Sequence, residues 1–256
     1  MLKIRVIPVL LLKGFGLVKG KQFDSWRRTG TLLPAVKVFS SRDVDELVIV
    51  DVSASKELRE PPFDLIEEVS SEVNVPLSVG GGVRSVKSIE RLLRAGADKV
   101  IINTAAFDDI NFVSEASRIF GAQCVVVSID ARKVDSKYLC FTQSGKNHTG
   151  MGAVDWAKKV ESAGAGEIII TSIERDGMMT GYELELIEQV SASVRIPVVA
   201  AGGAGEYKHF YEAIEFGKAS AVAAGAMFQF TEQTPAGARD FLRSKGVPVR
   251  HSIDKK

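Results

Sequence analysis

Pro76-Leu-Ser-Val-Gly-Gly-Gly82 returns in the second half of the chain as Pro197-Val-Val-Ala-Ala-Gly-Gly203. Both stretches are short apolar runs that end in consecutive glycines. The residues that follow keep the same spacing without a gap, so that Gly96 falls on Gly217. A repeat of this kind predicts two similar halves, each built from the same strand and helix units.

Short apolar runs rich in β-branched residues recur along the whole chain, and amphipathic stretches with helical spacing separate most of them. Strands that alternate with helices pair in parallel through right-handed crossovers. Eight units in this length predict a (β/α)8 TIM barrel, and the repeated halves favour it over a doubly wound open sheet. The predicted strands cover 4–12, 46–51, 76–79, 99–102, 124–130, 167–171, 197–201 and 219–224.

The composition is that of an ordinary folded protein. Hydrophobic residues make up 45% and charged residues 25%, and 33 Lys and Arg against 32 Asp and Glu leave a net charge of +1. This balance argues against nucleic acid as a partner, which attracts basic surfaces. No apolar run reaches the roughly 20 residues of a membrane span, and no signal peptide is recognised, so a cytoplasmic location without membrane contact is expected. With no linker, we predict one barrel over 1–250 and a polar tail over 251–256.

Neither the cysteines nor the histidines predict a metal site or a cofactor. Cys124 and Cys140 form no disulfide framework, and we expect them to serve in packing. The three histidines, His148, His209 and His251, match no metal spacing.

Active sites of barrels lie at the C-terminal ends of the strands, and four of these ends are rich in small residues. Backbone N–H groups freed of side chains bind phosphate without Lys or Arg. Two sets related by the repeat predict a substrate with a phosphate at each end, whereas the alternative is that the glycines only form tight turns. The predicted cradles contain Gly81, Gly82, Asn103, Thr104, Gly202, Gly203 and Gly225.

Charged and polar residues also stand at the predicted strand ends. Asp130 ends strand five, where burial can tune its pKa for general acid or base catalysis. Asp51 ends strand two, and Asp176 follows strand six beside Thr171. Lys19, in the loop after strand one, is placed to contact an anion. Alternatively, the aspartates bond to loops and Lys19 is a solvated loop lysine.

The internal repeat does not provide a second copy of the Asp130 carboxyl group. When strand five is laid on strand one, Leu11 takes the place of Asp130. A symmetric pair of carboxylates, one acid and one base, is therefore absent from this chain.

Four charged residues enter the opposite, N-terminal ends of otherwise apolar strands: Arg5, Glu46, Lys99 and Glu167. They are consistent with a solvated barrel rim. Alternatively, their opposite signs pair across the bottom opening and close it like a plug, which is costly unless every charge is satisfied.

Over nearly its whole length the sequence resembles the cyclase (HisF-type) subunit of imidazole glycerol phosphate synthase. The resemblance implies a barrel that docks a HisH-type glutaminase at its bottom face as a heterodimer. Ammonia from that partner would cross the barrel to a bisphosphate substrate, a ribulosyl-formimino aminoimidazole carboxamide ribotide, at the top. The matching segments include Arg5-Val-Ile-Pro8, Val79-Gly-Gly-Gly82, Gly96-Ala-Asp-Lys-Val100, Ile102-Asn-Thr-Ala105, Ser128-Ile-Asp130, Arg175-Asp-Gly177 and Gly202-Gly-Ala-Gly205.

The resemblance also implies roles for individual residues. The general acid falls on Asp130, and Asp98 matches a residue that faces the glutaminase. The glycine sets match two phosphate cradles. The substrate site is matched by Lys19, Asp51, Asn103, Thr171 and Asp176, and an ammonia gate by Arg5, Glu46, Lys99 and Glu167.

Leu11 departs from the family pattern, which has an aspartate general base at this position. Loss of one positioned acid or base typically costs about 10²- to 10⁴-fold in rate. The start of the chain, Val9-Leu-Leu-Leu-Lys13, resembles a paralogue branch that is associated with sugar amidation for surface polysaccharides. Two activities therefore stay open: the cyclase reaction, and delivery of ammonia to a separate sugar-amidating enzyme. A third alternative is a scaffold that only docks the glutaminase.

Overall fold

Eight parallel strands close into a barrel in the computed structural model, which describes residues 3–14 and 16–251. Helices connect consecutive barrel strands. The strands are β1 (Arg5–Lys13), β2 (Gly16–Lys21), β3 (Asp24–Gly30), β4 (Leu47–Asp51), β5 (Leu77–Gly80), β6 (Lys99–Ile102), β7 (Val125–Val134), β8 (Lys137–Thr142), β9 (Asn147–Gly152), β10 (Glu167–Ser172), β11 (Val198–Ala201) and β12 (Ala221–Ala224). The helices are α1 (Leu32–Ser41), α2 (Phe63–Ser70), α3 (Val86–Arg94), α4 (Thr104–Asp108), α5 (Asn111–Phe120), α6 (Ala153–Ser162), α7 (Leu184–Ser193), α8 (Tyr207–Glu215), α9 (Ala226–Phe230) and α10 (Pro235–Ser244).

The order of the strands confirms the predicted barrel. The sheet runs β10, β11, β12, β1, β4, β5, β6, β7, and β7 pairs again with β10 to close the ring. Parallel pairing places Arg5 beside Ala221 and Thr171 beside Asp130. The chain leaves every barrel strand at the same end, where the predicted site residues lie.

Two antiparallel hairpins extend the barrel at equivalent places in its two halves. The strands β2 and β3 continue β1, and β8 and β9 continue β7. One turn in each hairpin consists of two residues with positive φ: 53° and 62° at Gln22 and Phe23, between β2 and β3, and 44° and 66° at Asp135 and Ser136, between β7 and β8. Such turns usually carry Asn or Gly, which neither pair contains, so the sequence predicts no turn at these two places, although the polar segment around Cys140 reads as hairpin-like. The prediction of a loop at Lys19 was wrong, because this residue lies in β2.

Helix α3 illustrates how the local sequence sets the element boundaries. The Ser85 hydroxyl accepts a hydrogen bond from the Ser88 N–H at 3.1 Å and caps the start of the helix. At its end, Gly96 adopts φ +98° and donates to the Leu93 carbonyl, while the Ala97 N–H donates to the Leu92 carbonyl. This pair of bonds is the Schellman arrangement, which satisfies the last carbonyls and turns the chain towards the next strand.

The barrel interior is an apolar layer distinct from the core between sheet and helices. Strands buried on both faces read as continuous apolar runs, as these do. The interior side chains are those of Ile7, Val48, Ile101, Val126, Val199, Ala221 and Ala223. They separate the N-terminal opening of the barrel from its C-terminal mouth.

The described residues bear on the expectations about membrane spans, metal sites, the cysteines and the C-terminal tail. None of the helices in residues 3–14 and 16–251 is long and apolar enough to cross a membrane. The same residues contain no cluster of His, Cys, Asp and Glu able to hold a metal ion. Cys140 is buried, and burial raises the pKa of its thiol to about 12. Apart from His251, the predicted tail lies outside the described residues, and the single domain over 1–250 stays a prediction.

Candidate active site

A cavity of about 220 Å³ opens at the C-terminal ends of the barrel strands. It brings together residues from both halves of the sequence. Of the predicted site residues it is lined by Lys19, Asp51, Gly81, Gly82, Asn103, Thr104, Asp130, Thr171, Asp176, Gly202 and Gly225. Gly203 follows Gly202, is buried and does not line this cavity.

Asp130 is held in a fixed orientation at the cavity. The Asn103 amide donates a hydrogen bond to its Oδ2 at 2.9 Å, and the Ser128 hydroxyl donates to its Oδ1 at 3.3 Å. Burial raises the pKa of the Asp130 carboxyl to about 7, against the lowering effect of Ser128, and the negative charge of Asp176 adds to the rise. At neutral pH the group therefore exists in both protonation states, as a general acid or base requires.

This raised pKa predicts how Asp130→Asn changes stability. The folded-state pKa lies above the unfolded-state value, so the wild type loses stability as pH rises through about 7. The neutral amide avoids that loss. We expect the stability of Asp130→Asn relative to wild type to increase by about 1 to 2 kcal/mol from pH 5 to pH 8, a discounted figure because the carboxyl faces the cavity.

Urea denaturation at the two pH values measures this difference. Glu68→Gln, at an exposed position of α2, is the control and should show no comparable pH dependence. A constant difference between Asp130→Asn and wild type would show that burial does not raise the pKa of Asp130.

Lys19 and Asp176 form a second charged element of the cavity. Only 5% of Lys19 is exposed, so the alternative of a solvated lysine is wrong. Burial raises the pKa of the Asp176 carboxyl, while the charge of Lys19 and the Gly177 N–H oppose that rise. Asp176 Oδ2 is buried without a hydrogen-bond partner among the described residues. A ligand with a donor group would satisfy this oxygen.

Asp51 uses its carboxylate to organise the loop after β4. Its Oδ1 accepts hydrogen bonds from the N–H groups of Ser53 and Ala54 at 2.9 and 3.0 Å, and Arg59 Nη2 approaches Oδ2 at 3.1 Å. The loop-bonding alternative thus describes Asp51 in this structure. A contact of Asp51 with substrate stays a prediction.

Close contacts with neighbouring backbone atoms explain why glycine occupies the strand ends. Gly81 has φ +98°, and a Cβ there would lie 2.3 Å from the Asp51 carbonyl oxygen. Gly203 has φ +122°, and a Cβ would lie 2.2 Å from the Gly181 carbonyl oxygen. Tight turns therefore explain these glycines without a ligand, and their role as phosphate cradles stays a prediction.

Leu11 lies in the structural counterpart of the Asp130 position. Leu11 pairs with Val18 of the first hairpin, as Asp130 pairs with Phe141 of the second. Both side chains line the same cavity. Beside Leu11 the cavity wall is apolar at Val9, two residues earlier on the same strand face, and at Val50, its partner on β4. The carboxyl group that Asp130 brings to the cavity therefore has no counterpart at Leu11, although Lys19 and Asp51 are ionisable groups in the same half of the barrel as Leu11.

At the N-terminal opening, the four predicted charges form one cluster, in which both glutamates are buried and both cations are half-buried. Glu46 accepts hydrogen bonds from Arg5, from Lys99 Nζ at 3.0 Å and from the Ser78 hydroxyl at 2.6 Å. Glu167 accepts from Arg5 and from Lys99 Nζ at 2.6 Å. Glu46 and Glu167 are only 3% and 6% exposed, so a solvated rim does not describe them.

The positive and negative charges of this cluster balance one another. Burial by itself would raise the pKa of the Glu167 carboxyl, but hydrogen bonding and the charge of Arg5, together with Lys99, hold this pKa below its usual value. Two cations therefore neutralise two carboxylates across the opening. Beside the cluster, Asp98 is exposed and accepts a hydrogen bond from the Leu77 N–H at 2.8 Å. Its contact with a partner stays a prediction.

Sequence reasoning missed several contributors to the two ends of the barrel. Ser128 and Ser78 orient Asp130 and Glu46, and both stand on strands as ordinary small residues. Ser128 was detectable in principle, since it precedes Asp130 by two residues and therefore shares its strand face. Trp26 and Ser144 reach the cavity from the two hairpins, for which no turn signal was recognised.

Comparison with known proteins places the chain in a family. The family model described as "Histidine biosynthesis protein" matches residues 5–233. A protein of Dehalococcoides mccartyi named "Imidazole glycerol phosphate synthase subunit HisF" is 45% identical over 250 residues, which cover 98% of this chain and 99% of the relative. A protein of the same name from Methanocaldococcus jannaschii is 41% identical, with 98% and 99% covered. The chain belongs to the histidine biosynthesis protein family, among relatives named as HisF subunits.

Proposed function

We propose that this chain is the barrel subunit of a glutamine amidotransferase of the imidazole glycerol phosphate synthase type. A HisH-type glutaminase docks at the N-terminal opening, near Asp98, and releases ammonia there. The ammonia reacts at the cavity with the bisphosphate ribulosyl-formimino substrate in a lyase and cyclase reaction. The observation that carries the proposal is the order of three layers within one barrel: paired charges, apolar interior, and a cavity that contains Asp130.

The interior suits neutral ammonia. Side chains such as Ile7, Val126 and Val199 offer no partner to an ammonium ion, whose burial in apolar surroundings is costly. The cluster at the opening then acts as a gate, because a molecule entering from below must displace one of its ion pairs. Lys99 is the movable member, since its flexible stem carries a point charge that can turn towards solvent.

At the mouth of the barrel, Asp130 is the group that moves a proton. Its pKa of about 7 matches the requirement for proton transfer at neutral pH. Asn103 and Ser128 fix the carboxyl so that it faces the bound substrate. Lys19 stands beside Gly225 and supplies positive charge to one phosphate, while backbone N–H groups of the two glycine sets supply the other contacts.

Gly225→Ala tests the contribution of Lys19 without touching its charge. Gly225 has φ −116°, which alanine tolerates, but the new Cβ would lie 2.4 Å from Lys19 Nζ and Cε. The lysine must move. Loss of one charged contact of about 1.5 to 3 kcal/mol predicts about 10- to 100-fold weaker binding of the bisphosphate substrate.

Calorimetric titration of the folded variant checks this expectation, and Lys19→Met serves as the matched comparison. Both variants should lose similar affinity, because both remove the same ammonium group from the site. Unchanged affinity in Gly225→Ala together with a loss in Lys19→Met would show that Lys19 adapts to the added methyl group.

A second candidate function rests on Leu11. Because Leu11 stands in the place of a carboxylate and cannot move a proton, the barrel is also suited to pass ammonia on to a sugar-amidating enzyme of surface polysaccharide biosynthesis. In that case the gate and the interior keep their role. The cyclase reaction at the cavity is then weak or lost.

Ammonium salt and the bisphosphate substrate, supplied to the purified chain, test the cyclase proposal. The proposal predicts measurable consumption of substrate that disappears in Asp130→Asn. Consumption within about tenfold of an aspartate-bearing cyclase would exclude a decisive effect of Leu11 and remove the second candidate. Wild type without any consumption would favour the second candidate.

A further inference from the structure

A second cavity lies behind the β2–β3 hairpin, apart from the one at the barrel mouth. Its volume is about 200 Å³, whereas a single bound water needs only about 10 to 15 Å³. The hairpin, helix α1 and helix α9 form its walls. The residues that line this cavity are Leu17, Arg28, Thr29, Ala35, Gln229 and Phe230.

Three polar atoms of this cavity are buried without a hydrogen bond in residues 3–14 and 16–251. They are Nε2 and Oε1 of Gln229 and the hydroxyl oxygen of Thr29. A buried polar atom without a partner costs about 1 to 3 kcal/mol, so such atoms mark a place where a ligand or water is bound. The carboxamide of Gln229 offers a donor and an acceptor side by side, which complements another carboxamide.

Arg28, an exposed residue at the open edge of this cavity, adds a positive charge to its lining. Within the described part of the chain no carboxylate pairs with its guanidinium. Its Nε packs against the backbone of Gly16, where an added Cβ would lie only 2.9 Å away. The neighbouring Arg27 stacks instead on the ring of Phe230, 4.6 Å from its centroid, and does not line the cavity. Arg28 is thus the residue placed to receive an anion.

We propose that this cavity binds a small carboxylate that also carries a carboxamide. The carboxylate pairs with the guanidinium of Arg28, a charge-assisted contact that is stronger than a neutral hydrogen bond. The carboxamide exchanges two hydrogen bonds with Gln229. Leu17 and Ala35 provide an apolar wall for the short carbon chain between the two groups.

The two cavities share the same elements, which gives the ligand a regulatory effect. Strand β2 carries Leu17 at one cavity and Lys19 at the other, and Gln229 is one helical turn from Gly225, against which Lys19 packs. A ligand that bridges Arg28 and Gln229 ties the hairpin to helix α9. It therefore holds Lys19 in place at the mouth, and ligand and substrate favour each other's binding.

Succinamate, which carries one carboxylate and one carboxamide, is the probe for isothermal titration calorimetry on the whole chain. We expect binding at millimolar concentrations. Arg28→Ala and Gln229→Leu should each weaken it by about tenfold or more, the equivalent of about 1.4 kcal/mol. Arg27→Ala is the matched control and should change affinity by less than about twofold. Neutral succinamide should bind more weakly than succinamate, because it gives Arg28 no charge to pair with.

Two results would overturn the proposal. One is the absence of succinamate binding to the folded wild type, which would mean that water alone fills the cavity. The other is binding that survives both Arg28→Ala and Gln229→Leu. If Gln229→Leu does not fold, Thr29→Val takes its place in this comparison. The titration uses neither ammonia nor the bisphosphate substrate, so its outcome is independent of the proposed amidotransferase function.

Discussion

Glu167→Gln is expected to lower the free energy of unfolding by about 2 to 4 kcal/mol at neutral pH, because removal of one partner from a buried ion pair leaves a charge uncompensated. Glu167 receives hydrogen bonds from both cations of the cluster, Arg5 and Lys99. In the variant, Glu46 alone must neutralise them. Glutamine keeps the size and one acceptor of the side chain, so the loss reports on charge rather than on packing.

The pH dependence of this loss follows from the pKa of Glu167. Its folded-state pKa lies below the unfolded-state value, so its stabilising effect is present above the unfolded-state pKa and disappears as pH falls through the folded-state value. The difference between wild type and Glu167→Gln should therefore shrink in acid. Urea denaturation across this pH range measures it.

The surface pair of Lys37 and Glu72 supplies the control. Its side chains are 58% and 40% exposed, and the two charged atoms are 3.2 Å apart. Exposed pairs of this kind contribute about 0 to 1 kcal/mol, so Glu72→Gln should have little effect. A similar loss in both variants, or a difference that does not change with pH, would mean that the bottom cluster is solvated and does not close the barrel.

Leu11→Asp is expected to raise the rate of ammonium-dependent consumption of the bisphosphate substrate by about 10²- to 10⁴-fold, the typical contribution of one positioned acid or base. Leu11 and Asp130 occupy matching places in the two halves and line one cavity. The substitution restores a second carboxyl group at the apolar wall. Some loss of stability is expected, since the new carboxylate faces side chains such as Val9 and Val50.

Leu11→Asn is the matched control, because it has nearly the same size and polarity as aspartate and no proton to exchange. Steady-state rates of the three proteins separate the two effects of the substitution. An equal rise in the rate of Leu11→Asn would mean that the polarity of the new side chain, and not proton transfer, causes the gain. No rise in the rate of Leu11→Asp would mean that the absence of a carboxyl group at position 11 is not what limits the reaction. A gain in Leu11→Asp that disappears on adding Asp130→Asn would show that both carboxyl groups act together.

The barrel could be predicted from the sequence because the same pattern of apolar run and glycines occurs in both halves of the chain. The run that ends in Gly80-Gly-Gly82 has its counterpart at Ala201-Gly-Gly203, and both glycine sets are required by close backbone contacts. The place of Asp130 at the barrel mouth followed from the rule that barrel sites lie at strand ends. The expectation that Asp130 ends its strand was wrong, because β7 continues to Val134 and pairs there with the second hairpin. In contrast, the hairpin turn at Gln22 and Phe23 adopts positive φ without glycine or asparagine, so nothing in the sequence marked it.

The state of individual charges was harder to predict than their position. A lysine in a Gly-rich segment reads as exposed, yet Lys19 is buried because β2 folds back over the mouth of the barrel. Whether Arg5, Glu46, Lys99 and Glu167 meet depends on the closure of the barrel, since four different strands must bring them within hydrogen-bond distance. Asp51 was placed correctly at its strand end, but its engagement with Ser53 and Ala54 depends on the fold of a loop.

Transfer of nitrogen from amide-¹⁵N-labelled glutamine tests most directly whether the barrel carries ammonia from its bottom opening to the cavity. The chain, the proposed glutaminase partner and the proposed bisphosphate substrate are incubated with an excess of unlabelled ammonium, and the product is analysed by mass spectrometry. Passage through the barrel predicts that most of the product carries ¹⁵N, because ammonia inside the apolar interior does not mix with the solvent pool. Product whose label falls to the isotopic composition of the external ammonium would contradict this account.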